Sequence, residues 1–517
     1  MAADSPHFQQ PSATFMEEYD MSETDTIPLQ WANEWLAEPK KQYINGQWIR
    51  GSGEDYVAVN PANRGELCNL SLASVDQLEE AAACANQAHM SRVWSRTSRT
   101  QRADLLRQTA RLIREHTEEL AVLETLANGK LYTESLVDDI PTCADIFEYY
   151  AGWVDKYYGE TCPVDDGFLN YTLREPVGVC LLIAPWNFPL YQASLKIAPA
   201  LATGNPIIVK PSLSTPFTAI YLIELMARHL DIPKGVVNML ICKGRDIDQL
   251  TLSRNVHKVS FTGSTDVGRK IVQNSAQSNL KAATLELGGK SPCIFFDDAP
   301  DLDAAINRAF TVMFSHKGEK CSEPTRFIIH KNIYDRMLDT LIQKAEAVRC
   351  GDPFEKGVTQ GAQCNESQFN NIMKYIDIGK GEAELVTGGV QDVSGDNAQG
   401  YFIRPTIFSN VDSKCRIAQE EIFGPVLCCT PFSTTEEAVA LANDTVYGLG
   451  SGLYTADISK AHRVAEQIDA GMVFINHYGC YGLSSPFGGF RESGWGKEMG
   501  IHSLASFTKT KSVWVKF

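Results

Sequence analysis

The chain lacks any apolar run of the about eighteen residues that a membrane-spanning helix needs. Its best candidate, GVCLLIAPWNFPLY, is broken by Pro185, Asn187 and Pro189. Positive charge is also short: 47 Lys and Arg face 63 Asp and Glu, a formal net charge of −16. That balance argues against nucleic acid or an anionic membrane as a partner, since both demand a basic face. Cysteine patterning is missing too. The fourteen cysteines are irregularly spaced, Cys428 and Cys429 are the only adjacent pair, and no CxxC or Cys/His spacing points to zinc. They read as reduced thiols, and no metal is expected. The N-terminal segment has acids but neither a basic start with an apolar core nor an arginine-rich face, so the expected location is cytoplasmic.

What is present is an ordinary globular composition, 44% hydrophobic and 21% charged, spread over 517 residues, too many for one core. Residues 1–40 are polar and acidic and read as a loosely held extension. YINGQWIRGSGEDYVAVNPANRGEL reads as short strands and turns. Three amphipathic helical stretches follow, RTQRADLLRQTARLIREHTEELAVLETLANG among them. From Gly178 onward, apolar strands alternate with Gly or Pro turns and helices: VGVCLLIAP, NPIIVKP, VVNMLIC and HKVSFTGS each precede a helical segment. This predicts an α/β fold with βαβ units, a Rossmann-like parallel sheet whose usual ligand is a nucleotide. SPCIFF, RFIIH, PVLCCTPF and GSGLYT mark a second α/β domain. FLNYTLREP and SFTKTKSVWVKF read as exposed edge strands that pair with another subunit or domain.

Four segments carry candidate chemistry. SFTGSTDVGR places a Gly263-Ser264 turn before a helix containing Gly268, where backbone N–H groups can hold a pyrophosphate; an ordinary βα turn has the same look. TLELGGKSP sets Glu286 among leucines at a strand end, as a general base of raised pKa or as a plain surface acid. IAPWNFPL stiffens Asn187 between two prolines, which suits an oxyanion donor and equally a turn that packs aromatics. HKGEKCSEPTR surrounds Cys321 with charge, whereas structural cysteines such as Cys180, Cys242 and Cys293 sit in apolar runs.

Together these segments resemble the aldehyde dehydrogenase superfamily. The resemblance runs from YINGQW to SGWGKEMG and includes, in order, PWNFPL, GNPIIVKPS, FTGSTDVGR, LELGGKSP, GEKCSEPTR, EEIFGPV, NDTVYGLGSGLYT and PFGGFRESGWGKE. DIFEYYAGWVDK and YTLREPVGVC look closest to the betaine aldehyde and amino-aldehyde branch. The resemblance implies a cofactor domain at 41–157 and 178–286, a catalytic domain at 287–490, and a small β oligomerisation arm and tail at 158–177 and 491–517. It implies NAD as cofactor, a small-molecule aldehyde as substrate and a homodimer or homotetramer.

By the same resemblance Cys321 is the nucleophile, and Asn187 with the Cys321 N–H holds the oxyanion. Hydride passes to the nicotinamide, and Glu286 activates the water that hydrolyses the resulting thioester. Lys196 and Glu498 match positions linked to proton relay or cofactor support. Ile183, Trp186, Lys210, Gly263, Ser264 and Gly268 match cofactor positions, and Glu421 with Phe423 matches the pair at the nicotinamide ribose. Tyr191, Leu195, Phe314, Tyr478 and Phe487 are expected to line the substrate pocket.

Three departures stand out. Leu213 replaces a glutamate that in many NAD-preferring relatives accepts the adenosine ribose hydroxyls, which opens the site to NADP. NMLICKGRDIDQL has one glycine where relatives often have more. GEKC replaces a glutamine-rich loop: Lys320 would lower the thiol pKa and Glu319 raise it, but both are expected to face solvent. A non-catalytic structural or binding member of the fold is the alternative, and it predicts loss of Cys321 or Glu286, which are both present. Transfer of the acyl group to coenzyme A or phosphate is disfavoured by Glu286.

Overall fold

The computed structural model describes residues 27–517; residues 1–26, most of the expected extension, lie outside the described residues. The rest of that segment is docked. Helix α1 (Ile27–Leu36) carries Trp31 and Trp35 four residues apart, with Ala32 and Leu36 buried beneath. The stretch 99–129 is two helices, Arg99–Glu115 and α2 (Thr117–Asn128). The break falls at His116, whose ψ of 29° departs from helix, and Glu118 and Glu119 favour a new helix start. A single π-helical turn, Ser135–Asp139, leads into α3 (Ile140–Ala151).

The first sheet has an antiparallel edge, β1 (Gln42–Ile44) and β2 (Gln47–Ile49), and then five parallel strands. β3 (Cys180–Ile183) is followed by α4 (Pro189–Ala202), and β4 (Ile207–Lys210) by α5 (Phe217–His229). β5 (Val237–Met239) and β6 (Lys258–Thr262) come next, then α6 (Thr265–Gln277) and β7 (Ala282–Glu286). All four residues of β3 and of β4 are buried, as expected of strands covered on both faces. α1 rests on α2 and α5: the Trp31 ring lies 4.9 Å from that of Tyr221, and Trp35 Nε1 donates to Glu224 at 2.9 Å.

The second sheet contains β8 (Pro292–Phe295), β9 (Arg326–His330), β10 (Glu384–Thr387), β11 (Thr406–Ser409), β12 (Val426–Phe432), β13 (Gly450–Tyr454) and β14 (Met472–Ile475). Their spatial order is 10-11-12-9-8-13-14, parallel except for β10. Helix α7 (Leu302–Phe314) packs into its core. The chain then returns to the first sheet, where β15 (Gly494–Trp495) pairs with β7. The first sheet therefore reads 2-1-5-4-3-6-7-15. Strand order reverses between β3 and β6, which is where a doubly wound sheet opens its ligand crevice.

The two expected edge strands pair with each other within the chain, from Thr508 opposite Pro176 to Lys516 opposite Phe168. Cys180, Cys242 and Cys293 are core residues, and all fourteen cysteines are free. Among the described residues no helix is long and apolar enough to cross a membrane.

Candidate active site

The carboxyl ends of the parallel strands deliver several candidates to one crevice. Ile183 ends β3, Lys210 ends β4, Thr262 ends β6 and Glu286 ends β7, and Ile183 pairs in register with both Lys210 and Phe261. Helix α6 begins one residue after the Gly263-Ser264 turn, and no side chain caps its first N–H groups. A helix start with free N–H groups at a switch point fits a pyrophosphate. Gly268 lets α6 sit tight on the strand connection: a Cβ there would lie 2.8 Å from Leu287 Cδ2. Lys210 is buried, which lowers its pKa.

Glu421 reaches the same region from the second half of the molecule. Its Oε1 accepts the Gly289 N–H at 2.8 Å, and burial pushes its carboxyl up to about 7. Phe423 stands edge-on to Trp186 with ring centroids 5.3 Å apart. Its carbonyl and that of Ile422 are held by Gln368. Together with the free helix start of α6, these groups fit a dinucleotide.

Glu286 is buried, and its Oε2 has no hydrogen-bond partner in the protein. Burial drives its carboxyl well above the ordinary carboxylate range; Glu498 adds to the rise, while Lys196 and Lys497 oppose it. That matches the raised pKa expected from its leucine neighbours. Lys196 Nζ contacts Glu498 Oε1 and donates to Thr262 Oγ1 at 2.7 Å and Gln192 Oε1 at 3.3 Å. Thr262 had no sequence signal beyond its place at a strand end.

Cys321 is half-buried in the loop after α7, with burial, Glu286 and Glu421 all raising its thiol pKa. Gly289 permits this approach, since a Cβ there would lie 2.3 Å from the Cys321 carbonyl oxygen. Asn187, buried at the start of α4, donates its side-chain amide to the Glu319 carbonyl at 2.8 Å. One amide N–H of Asn187 is thus committed to the nucleophile loop, and the second remains for another acceptor.

The loop itself differs from the expectation. Glu319 is 1% exposed and the Lys320 side chain 13%, so neither faces solvent. Lys320 Nζ donates to Ser315 Oγ at 2.6 Å and lies 3.5 Å from buried Glu323. Glu319 pairs with equally buried Lys317 at 2.9 Å. Polar residues crowd Cys321 because they pair with one another and with distant helices inside the protein. Of the residues expected to line the pocket, Leu195, Phe314 and Tyr478 are buried, and the Tyr478 hydroxyl donates to the Ser322 carbonyl at 2.9 Å. Tyr191 and Phe487 are only partly buried, joined by Tyr481, whose hydroxyl is 2.8 Å from Ser322 Oγ.

The sequence pattern of the aldehyde dehydrogenase family matches residues 48–513. Human mitochondrial aldehyde dehydrogenase is 40% identical over 478 residues, 92% of this chain and 91% of its own length. The NAD+ complex of aldehyde dehydrogenase from Bacillus cereus superposes with a TM-score of 0.91 at 39% identity, covering 95% of this chain and 99% of that one. A gamma-glutamyl-gamma-aminobutyraldehyde dehydrogenase from Burkholderia cenocepacia gives 0.91 at 38% identity, covering 94% and 98%. The chain belongs to the aldehyde dehydrogenase family.

Proposed function

We propose that this protein oxidises an aldehyde to a carboxylic acid with NAD, using Cys321 as nucleophile and Glu286 as base. One observation carries the reading: residues from both halves of the molecule converge on the Cys321 loop. Glu286, Lys196 and Asn187 come from the first half, Cys321 and Glu421 from the second, and the Asn187 amide bridges them at 2.8 Å through Glu319.

In this reading a base must first take the proton of the Cys321 thiol, because burial and the Glu286, Glu421 and Glu323 carboxylates raise its pKa. Cys321 Sγ then bonds to the aldehyde carbon, and the oxyanion is met by the uncommitted Asn187 N–H and the Cys321 backbone N–H. The nicotinamide, when bound, supplies the hydride acceptor that this oxidation needs. Cys321 is left holding the acyl group as a thioester. Glu286 removes a proton from the water that attacks it, and the Cys321 thiolate leaves. The Lys196–Glu498 pair, whose Glu498 raises the Glu286 pKa, offers a route for that proton. Ile183, Trp186, Lys210, Gly263, Ser264, Gly268, Glu421 and Phe423 would hold the cofactor.

The substrate favoured is a small or amino-substituted aldehyde, on the resemblance of DIFEYYAGWVDK to the amino-aldehyde branch and the similarity to the Burkholderia enzyme. Leu213 in place of a ribose-binding glutamate supports some use of NADP beside NAD. The reading includes a homodimer or homotetramer and a cytoplasmic location. The test is reduction of NAD or NADP, followed by absorbance, with hexanal, benzaldehyde, 4-aminobutyraldehyde and betaine aldehyde. Wild type should reduce NAD, fastest with the amino-substituted aldehydes, and Cys321→Ala should not. No reduction by folded wild type with any of them would favour the non-catalytic alternative.

A further inference from the structure

We propose that the buried Lys317–Glu319 ion pair is a positioning device that fixes the nucleophile loop and aims the Asn187 amide. The proposal rests on the reading of Cys321 as nucleophile and Asn187 as oxyanion donor. It starts from backbone strain. Three successive residues take left-handed conformations, His316 at φ 48°, Lys317 at φ 62° and Gly318 at φ 70°. Glycine adopts that region freely, whereas two side-chain-bearing residues persist there only where the surroundings over-determine them.

The surroundings do so. The His316 N–H donates to Glu134 Oε1 at 2.7 Å, and its ring Nε2 lies 3.3 Å from Asp139 Oδ1, both residues belonging to or flanking the π-helical turn. Lys317 Nζ donates to the backbone oxygen and to Oδ1 of Asn128, each at 2.7 Å, and sits 2.9 Å from Glu319 Oε2. Glu319 Oε1 accepts the Cys364 N–H at 3.2 Å. The Glu319 carbonyl then receives Asn187 Nδ2 at 2.8 Å. Asn128 closes the circuit by donating its own Nδ2 to the Trp186 carbonyl at 2.9 Å. One asparagine thereby ties the loop that carries Asn187 to the loop that carries Cys321, and Lys317 is the cation between them.

Stability alone is a poor reason for such a pair. Both side chains are 1% exposed, and moving two charges out of water costs as much as their attraction returns, so a buried pair is retained more readily for register than for free energy. Here the register is that of the Glu319 carbonyl. Removing either charge leaves the other buried and unpaired, which releases the left-handed turn and moves the acceptor that orients Asn187. Positions of oxyanion donors matter at sub-ångström scale.

The test uses the full chain with Glu319→Gln, Lys317→Gln and the double variant carrying both. Rates of the first NADH-forming turnover are taken as first-order rate constants at saturating NAD and aldehyde, which do not depend on the folded fraction, and alkylation of Cys321 is followed separately by peptide mass. Each single variant should lose about tenfold or more in that rate with unchanged NAD affinity, and the neutral double variant should recover most of it, because no buried charge is left unpaired. Singles that keep the wild-type rate constant, even with lowered thermal stability, would overturn the proposal. So would failure of all three variants to fold, which would make the pair structural. Wild type that is alkylated at Cys321 yet reduces no NAD would instead defeat the underlying functional reading.

Discussion

At the residue scale, one cysteine and one glutamate bear most of the proposed chemistry, and their environments set their pH behaviour. Glu286 serves as a base only when ionised, and burial raises its pKa, so kcat should fall as pH drops through a midpoint above the usual carboxylate range. Glu286→Gln should lower kcat by about a hundredfold or more and abolish that limb, as a pH–rate profile would show. Asn187→Ala should cost about a hundredfold in kcat from loss of an oxyanion donor, with little change in NAD affinity measured by fluorescence titration. Local sequence left both residues open between a chemical and a plain structural role, and the ordered family motifs around them brought them forward. The pairing of Lys317, Glu319 and Lys320 was not legible. Their partners include Asn128, distant in sequence by 189 residues, and nothing near a charge in sequence tells whether a counter-charge will fold over it.

At the element scale, the crevice follows from strand order. β3 and β6 are neighbours although three strands apart in the chain, and the reversal leaves their carboxyl ends and the start of α6 open to a ligand. The βα alternation made those strands readable, while the partition of 99–129 into two helices was hidden because both share one apolar periodicity. The helix at 27–36 was missed because its polar flank outweighed two tryptophans at helical spacing. Trp35→Ala should therefore destabilise the protein by about 2–3 kcal/mol in denaturant unfolding while leaving kcat unchanged, since the Trp35 contacts are to Glu224 and Phe217 and not to the crevice. Gly289→Ala should act at the crevice. Its Cβ would lie 2.3 Å from the backbone oxygen of Cys321, so the nucleophile must shift, and kcat should fall about a hundredfold together with a lowered melting temperature.

At the scale of the whole molecule, two α/β halves contribute complementary parts of the proposed reaction, and a small sheet of Phe168–Pro176, Thr508–Lys516 and a short third strand stands outside both. Sequence reading found these strands as edges that pair with another subunit or domain; within the chain Phe168–Pro176 is the middle strand, paired on both sides, and Thr508–Lys516 keeps one free edge. The sheet still shows Phe168, Trp514 and Phe517 to solvent, at 43%, 62% and 81% exposure. Apolar exposure of that kind marks an interaction surface. Light scattering at micromolar concentration should give a dimer or a tetramer, and a monomer would contradict the proposed assembly. The measurement that tests the central claim most directly is the intact mass of Glu286→Gln protein mixed with NAD and an aldehyde, followed by peptide mapping. One acyl group on Cys321 for each NADH formed is the expected result. NADH formed with no acyl adduct, or with the adduct on another residue, would contradict the assignment of Cys321 as nucleophile and Glu286 as the deacylating base.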